Sequence, residues 1–266
     1  MENDSHACEK GQHMLTYCFE SSHVPRTLAK CRKNDLAVID TEGHEKAVRE
    51  AVSRGAWVYG YLNIGALEKQ RPYYDKLKHL RLAKYKGWDG EYWINPTAKE
   101  WQDHCIALAK QIKACGAIGL YLDNTDIYYM CLQGFKEEKT KTLRSAPSAQ
   151  AVYNALANII LNIHKLGLII MPNGGDIFFR KFMVAHPGVI ATINQEGVFY
   201  QDLNKKNKPA DTRYYKDWCK WADKHISGKV RLIEYVSSKT EQAKIKAYCL
   251  AKGWDVFFSP YKELRG

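Results

Sequence analysis

Apolar residues in this chain fall into short, dense runs bounded by turn residues, and the runs recur along its whole length. Eight of them predict β-strands: Leu15–Phe19, Leu36–Ile39, Trp57–Ile64, Ile118–Leu122, Leu168–Met171, Val189–Ile193, Val230–Val236 and Trp254–Phe258. A strand with one wet face alternates apolar with polar residues, and these do not. Near-continuous runs mark strands buried on both faces, the condition of a parallel sheet covered by helices.

Between the runs the period changes to that of a helix. Thr97–Cys115 places Trp101, Cys105, Leu108 and Ile112 on one stripe, and Ser148–Leu166 does the same with Val152, Leu156, Ile159, Ile160 and Ile163. His44–Ser53, Asp211–His225 and Lys239–Lys252 read as further helices, with shorter ones at Ser21–Lys33 and Asp176–His186. Gly55, Gly116, Gly167 and Gly253 stand where helices should end. Strand and helix alternate through 266 residues, close to the roughly 250 of a (β/α)₈ barrel. The prediction is an α/β protein: one TIM-type barrel over residues 15–266.

Two irregularities modify that picture. The segment Glu68–Asn95 is a long insertion after the third strand, rich in aromatics (Tyr73, Tyr74, Tyr85, Trp88, Tyr92, Trp93), and a connection of that length is expected to be functional or partly structured. Only Tyr261–Gly266 follow the eighth strand, so the last helix is expected to be truncated or absent. Residues 1–14 read as a polar extension or tag remnant, without the apolar core of a signal peptide.

Composition narrows the function classes. With 45% hydrophobic residues and no apolar run near the ~20 residues of a membrane span, integral membrane association is excluded. The formal charge of +11 is spread along the chain, thickening at Arg26–Lys33, Lys76–Lys86, Lys136–Arg144 and Lys205–Lys208. Such runs are usually solvated faces, and no zinc spacing or RNA-binding strand signature supports a nucleic-acid partner. Eight cysteines form no C-x-x-C pair, which argues against a disulfide framework in a chain of this size. The nine histidines show no metal-ligand spacing, and Asp123 with Asp126 lacks a third ligand. No Gly-rich phosphate loop is present, so neither a metal nor a nucleotide cofactor is expected. Oligomeric state leaves no mark on the sequence.

In a TIM barrel the chemistry sits at the C-terminal ends of the strands. There the chain carries Asp40, then Asn63 with Glu68 and Arg71, then Asp123-Asn124-Thr125-Asp126, Asn173, Asn194-Gln195-Glu196, and Glu234-Tyr235. Glycoside hydrolysis needs one carboxyl to protonate the leaving oxygen and another to attack the anomeric carbon or activate water. Asp123 and Glu196, on the fourth and sixth strands, face one another across the mouth of such a barrel. The aromatics of the insertion suit the C–H faces of sugar rings.

The runs Tyr59-Gly60-Tyr61-Leu62-Asn63-Ile64-Gly65 with Glu68 and Arg71, Gly119-Leu120-Tyr121-Leu122-Asp123-Asn124-Thr125-Asp126, and Ile193-Asn194-Gln195-Glu196-Gly197-Val198-Phe199 together resemble glycoside hydrolase family 114. That family comprises endo-α-1,4-polygalactosaminidases and related barrel proteins, and the similarity spans residues 15–261. The resemblance implies a glycosidase acting on an amino-sugar-containing or related polysaccharide by a retaining mechanism, and a secreted or cell-surface protein; cytoplasmic residence is the alternative left open by the missing signal peptide. It places the catalytic pair on Asp123, as nucleophile, and Glu196, as general acid/base. Asp40, Asn63, Glu68, Arg71, Asn124, Asp126, Asn173 and Tyr235 are the expected substrate-binding set, with Asp126 orienting the site. Glu196, flanked by Ile193, Val198 and Phe199, is the carboxyl expected to have its pKa raised by apolar surroundings. A chain at +11 should repel a polycationic galactosaminan unless its cleft is acidic. The rival function is a catalytically silent barrel that binds carbohydrate.

Overall fold

Eight parallel strands form the centre of the protein: β1 (Leu15–Cys18), β2 (Leu36–Ile39), β3 (Trp57–Asn63), β4 (Gly119–Asp123), β5 (Ile169–Pro172), β6 (Ile193–Glu196), β7 (Val230–Glu234) and β8 (Asp255–Phe258). The computed structural model describes residues 13–136, 143–261 and 264. β1 through β5 pair in sequence order as one arc, and β6, β7 and β8 as a second. The arcs meet at a parallel bridge between Asn173 and Asn194. At the opposite seam Tyr17 of β1 packs on Phe257 of β8 with ring centroids 5.3 Å apart. The result is the predicted (β/α)₈ barrel.

Helices follow the strands in turn: α1 (Val24–Lys30), α2 (Glu45–Ser53), α3 (Lys99–Ala114), α4 (Ile127–Leu132), α5 (Ala149–His164), α6 (Asp176–Ala185), α7 (Pro209–Asp223) and α8 (Lys239–Leu250). The predicted stripe of α5 is buried in full, and Ser148 caps the helix by accepting from the Ala151 N–H. No helix follows β8 among the described residues, in keeping with the short segment beyond it. Two apolar clusters divide the interior. One lies between sheet and helices and includes Leu28, Trp101, Ile159, Phe178 and Trp218. The other fills the barrel with Tyr17, Val38, Tyr59, Tyr121, Met171, Ile233, Tyr235 and Phe257. The seven described cysteines are buried and form no disulfide with one another, packing as small hydrophobes.

The sixth strand departs from expectation. The apolar run Val189–Ile193 predicts it there, but the structure has it at Ile193–Glu196, in register with Val230–Ile233. The polar residues Asn194 and Glu196 occupy interior positions because polar partners await them inside the barrel mouth. The insertion after β3 forms a three-stranded antiparallel sheet of Ala66–Glu68, Glu91–Ile94 and Arg81–Lys84. Residues 1–12 of the expected N-terminal extension lie outside the described residues. Met14 is already tied to the barrel, its N–H donating to Asp35 Oδ1 at 2.7 Å.

Candidate active site

Side chains of a strand point alternately to its two faces, and in a closed barrel one face is the interior. Tyr121 and Asp123 on β4, Asn194 and Glu196 on β6, and Ile233 with Tyr235 at the end of β7 share that parity; Tyr61 on β3 and Asn173 just beyond β5 join them. Parity thus gathers their polar ends at the C-terminal mouth. The turn after β4 is held close to the end of β3. Asn124 is left-handed at φ 62°, the Ile64 N–H donates to Asp123 O at 3.2 Å, and a Cβ on Gly65 would lie 1.7 Å from Asn124 O. Only glycine allows that approach.

The two expected catalytic carboxyls point into one cleft of about 610 Å³. One amide joins them: Asn173 Nδ2 donates to Asp123 Oδ1 at 3.1 Å and to Glu196 Oε1 at 2.8 Å. Those oxygens therefore lie no further apart than the two bonds end to end, 5.9 Å. With the two N–H bonds of one planar amide splayed at their usual angle the separation is about 5 Å. Asp123 also accepts from its neighbour's backbone, Asn124 N–H, at 3.0 Å and from Tyr61 OH at 3.2 Å. Glu196 accepts in addition from Tyr121 OH at 3.0 Å and Tyr235 OH at 2.5 Å. Asn194 completes the layer, accepting from Tyr17 OH at 2.7 Å and donating to Asn173 Oδ1 at 2.8 Å, which fixes the orientation of the bridging amide.

Burial at the cleft floor and the nearby charge of Glu196 push the Asp123 carboxyl up to about 7, against the hydrogen bonds from Asn173, Asn124 and Tyr61. The apolar surroundings expected for Glu196 are absent. Ile193 and Val198 belong to the core outside the barrel, whereas the Glu196 carboxylate turns inward to three donors. Sequence neighbours in a strand say little about a side chain's environment, since adjacent residues face opposite ways.

A second acidic layer lies beside the pair. Arg71 joins Glu68 at 2.5 Å, Asp40 at 2.6 Å and Glu42 at 3.0 Å, and its guanidinium sits 5.6 Å from the centre of the Tyr61 ring. Asn63 and Asn124 both donate to Glu91 Oε1, at 2.9 and 2.7 Å. Burial, with the charges of Asp123 and Glu68, pushes Glu91 up to about 8, so it holds a proton at neutral pH. Of the twenty described lining residues eight are Asp or Glu, and among them Arg71 alone is basic.

Asp40, Glu68, Arg71, Asn124, Asn173 and Tyr235 all line this cleft with Asp123 and Glu196. Asn63 stands behind it, its amide spent on Glu91, Glu68 and Tyr61. Asp126 is not among the described lining residues; it precedes α4, half-buried, with its carboxyl raised to about 6 by desolvation and by Asp176. Its expected orienting role has no hydrogen bond to the pair behind it. The insertion supplies one wall through Glu68, Arg71, Tyr85, Trp88, Asp89 and Glu91. Tyr61, Tyr121, Asn194 and Glu91 are site residues to which the sequence alone assigns no role. The first three are the interior residues two positions before the strand-end groups, a parity signal available in principle; Glu91 gives none, because its place depends on how the insertion folds back. No described group of three or more His, Cys, Asp and Glu has metal-binding geometry.

A parallel α/β barrel with two bridged carboxyls at the mouth of its β4 and β6 strands defines a glycoside hydrolase class of site. The chain belongs to glycoside hydrolase family GH114, whose family model matches residues 8–263, and it is accordingly a glycosidase that takes a carbohydrate substrate. Among solved structures, the glycoside hydrolase domain of PelA from Pseudomonas aeruginosa is similar at 17% identity, covering 96% of each chain with a TM-score of 0.74. Ega3 from Aspergillus fumigatus, solved in complex with galactosamine, is similar at 15% identity, covering 96% of this chain and 92% of that one with a TM-score of 0.65. An α-galactosidase from Thermus thermophilus, TtGalA, shares the fold at 10% identity and a TM-score of 0.56, over 92% of this chain and 57% of its own. No curated protein sequence matches the chain.

Proposed function

We propose that this protein hydrolyses an amino-sugar polysaccharide containing α-linked galactosamine by a retaining mechanism, with Asp123 as nucleophile and Glu196 as general acid/base. The observation that carries this reading is the Asn173 amide bonded to both carboxyls, at 3.1 and 2.8 Å. It sets a spacing of about 5 Å, which suits direct attack on the sugar; an inverting pair needs roughly 6.5–9.5 Å to admit a water. Carboxyls this close titrate as a pair. Below about pH 7 the Asp123 carboxyl keeps a proton; as the sugar engages Asp123 that proton passes to Glu196, which delivers it to the leaving oxygen and then returns as base for the attacking water.

The cleft's acid lining answers the charge problem posed by a chain of +11. Field lines from clustered carboxylates are concentrated by low-dielectric walls, so a cleft can attract a polycation that the whole surface repels. Ega3, similar in fold, was solved with galactosamine, which supports the same sugar here. Tyr85 and Trp88 offer apolar faces at the mouth. Among the described residues no helix is long and apolar enough to cross a membrane, and secretion or a cell-surface location fits a polysaccharide substrate.

The test is reducing-end release from deacetylated α-1,4-galactosaminan, its N-acetylated form, and neutral and acidic polysaccharides, with Asp123→Asn as the control. Turnover of the deacetylated polymer, with KM rising as salt screens the cleft, is the expected result. Equal or better turnover of an acidic polymer would overturn the substrate assignment.

A further inference from the structure

The turn that carries Glu196 into the cleft is held from both sides by residues outside it. Glu196 ends β6, and Gly197 turns the chain at φ 60°, where a Cβ would lie 2.9 Å from Gln201 Cα. On the N–H side, Glu234 accepts from Phe199 N–H at 3.1 Å to each carboxyl oxygen and from Tyr200 N–H at 2.9 Å. On the carbonyl side, Asn207 Nδ2 donates to Gly197 O at 2.5 Å and Val198 O at 3.1 Å, and its backbone N–H donates to Phe199 O at 2.8 Å. Gly197 N–H itself reaches Ile233 O at 2.9 Å.

Glu234 is wholly buried and makes no ion pair with a described residue. A carboxyl in that position is unfavourable unless its oxygens are occupied, and the backbone of the turn is what occupies them. Parity explains the arrangement. Glu234 points outward from the barrel to grip the turn, and the next residue, Tyr235, points inward and donates to Glu196 Oε2 at 2.5 Å. Two successive residues at the end of β7 thus hold the backbone next to Glu196 and its carboxyl group.

We propose that Glu234 and Asn207 are positioning residues for the general acid, acting on Glu196 by clamping the turn 197–200. The inference rests on the reading of Glu196 as acid/base. Misplacing a reacting group by about 1 Å costs on the order of 100-fold in rate, so a loosened turn is felt where proton donation is needed. It is felt least where the leaving group departs without a proton.

Glu234→Gln keeps the shape but replaces one of the two accepting oxygens with an amide nitrogen, which cannot accept from the backbone N–H groups. Kinetics of this variant are measured on a galactosamine oligomer, whose leaving group is a poor one, and on a nitrophenyl α-galactosaminide with azide present to complete the second step. On the oligomer kcat should fall by about 10- to 100-fold with KM within about twofold. On the aryl substrate the loss should stay under about threefold, since little protonation is required. Asn207→Ala, which frees the other side of the turn, should give the same pattern and carries the test if Glu234→Gln does not fold. Equal losses on the two substrates, a change in KM alone, or full activity in folded variants would overturn the clamp. Glu196→Gln is run beside them: if it shows no dependence on the leaving group, the assignment of the acid has failed, and the clamp with it.

Discussion

Replacing Asn173 by alanine tests the bridge between the two carboxyls. The change removes one donor from each, at 3.1 Å from Asp123 and 2.8 Å from Glu196, and leaves Asn194 Nδ2, among the described residues, with only Tyr121 OH to donate to, at 3.2 Å. A hydrogen bond to a charged group is worth about 1.5–3 kcal/mol net. Each 1.36 kcal/mol is a factor of ten in rate, so losing one such bond in the transition state should lower kcat/KM at the optimum by about 10- to 100-fold. A signature in pH accompanies the loss. The Asn173 bond favours the ionised form of Asp123 and holds its pKa down against burial, so removing it raises the pKa from about 7 by about one unit. The pair must keep one proton to act, and activity is lost as pH rises through that pKa; the alkaline limb of kcat/KM should therefore move towards pH 8. The assay is kcat/KM against pH for wild type and Asn173→Ala on one substrate. A limb that stays in place or moves to lower pH, with activity reduced, would refute the bridge.

Arg71→Met leaves Asp40, Glu42 and Glu68 around the cleft without their shared cation; of the four only Glu68 is buried, so the loss should fall short of the about 3–5 kcal/mol of a buried pair, to be read as a lowered denaturant midpoint, and an unchanged midpoint contradicts it. Stability should also depend on pH through Glu91 and Glu234, both raised to about 8 by burial. Their stabilisation is complete below the ordinary glutamate pKa and is lost as pH rises through 8, so Tm measured by calorimetry should fall from pH 6.5 to 9; a rise across that window opposes the sign. His104, lowered to about 4 by burial, acts in the opposite sense at lower pH only. Trp88 is 40% exposed at the cleft mouth. Trp88→Ala should raise KM about 5- to 10-fold through loss of a stacking surface worth about 1 kcal/mol, with Tm nearly unchanged; a fall in kcat alone would assign it a different task.

The barrel was legible because its strands are buried on both faces and read as unbroken apolar runs. Asp123 was legible for the same reason: it is the first charged residue after the run of β4. β6 shows where that signal fails. Its residues Asn194 and Glu196 lie inside the barrel mouth, and the polar partners that make this tolerable come from β1, β4 and β7, distant in sequence. The apolar Val189 and Ile190 upstream then looked more like a strand than the strand itself. The acid lining was hidden for a related reason. Glu68, Asp89 and Glu91 lie far from Asp123 and Glu196 along the chain, and the antiparallel sheet of the insertion brings them to the same cleft. Net charge averages over the surface and says nothing about such a concentration.

The central claim is that Asp123 and Glu196 divide the chemistry as nucleophile and acid across a gap of about 5 Å. Azide rescue of two variants on a nitrophenyl α-galactosaminide tests it most directly, with product configuration read by NMR. Glu196→Ala keeps the nucleophile, so azide meets a glycosyl-enzyme intermediate and should give a glycosyl azide of retained configuration. Asp123→Ala lacks the nucleophile, so azide attacks the substrate itself and should give the inverted product. The opposite pair of configurations would exchange the roles, and rescue of neither variant, with wild-type activity left in either, would contradict the account.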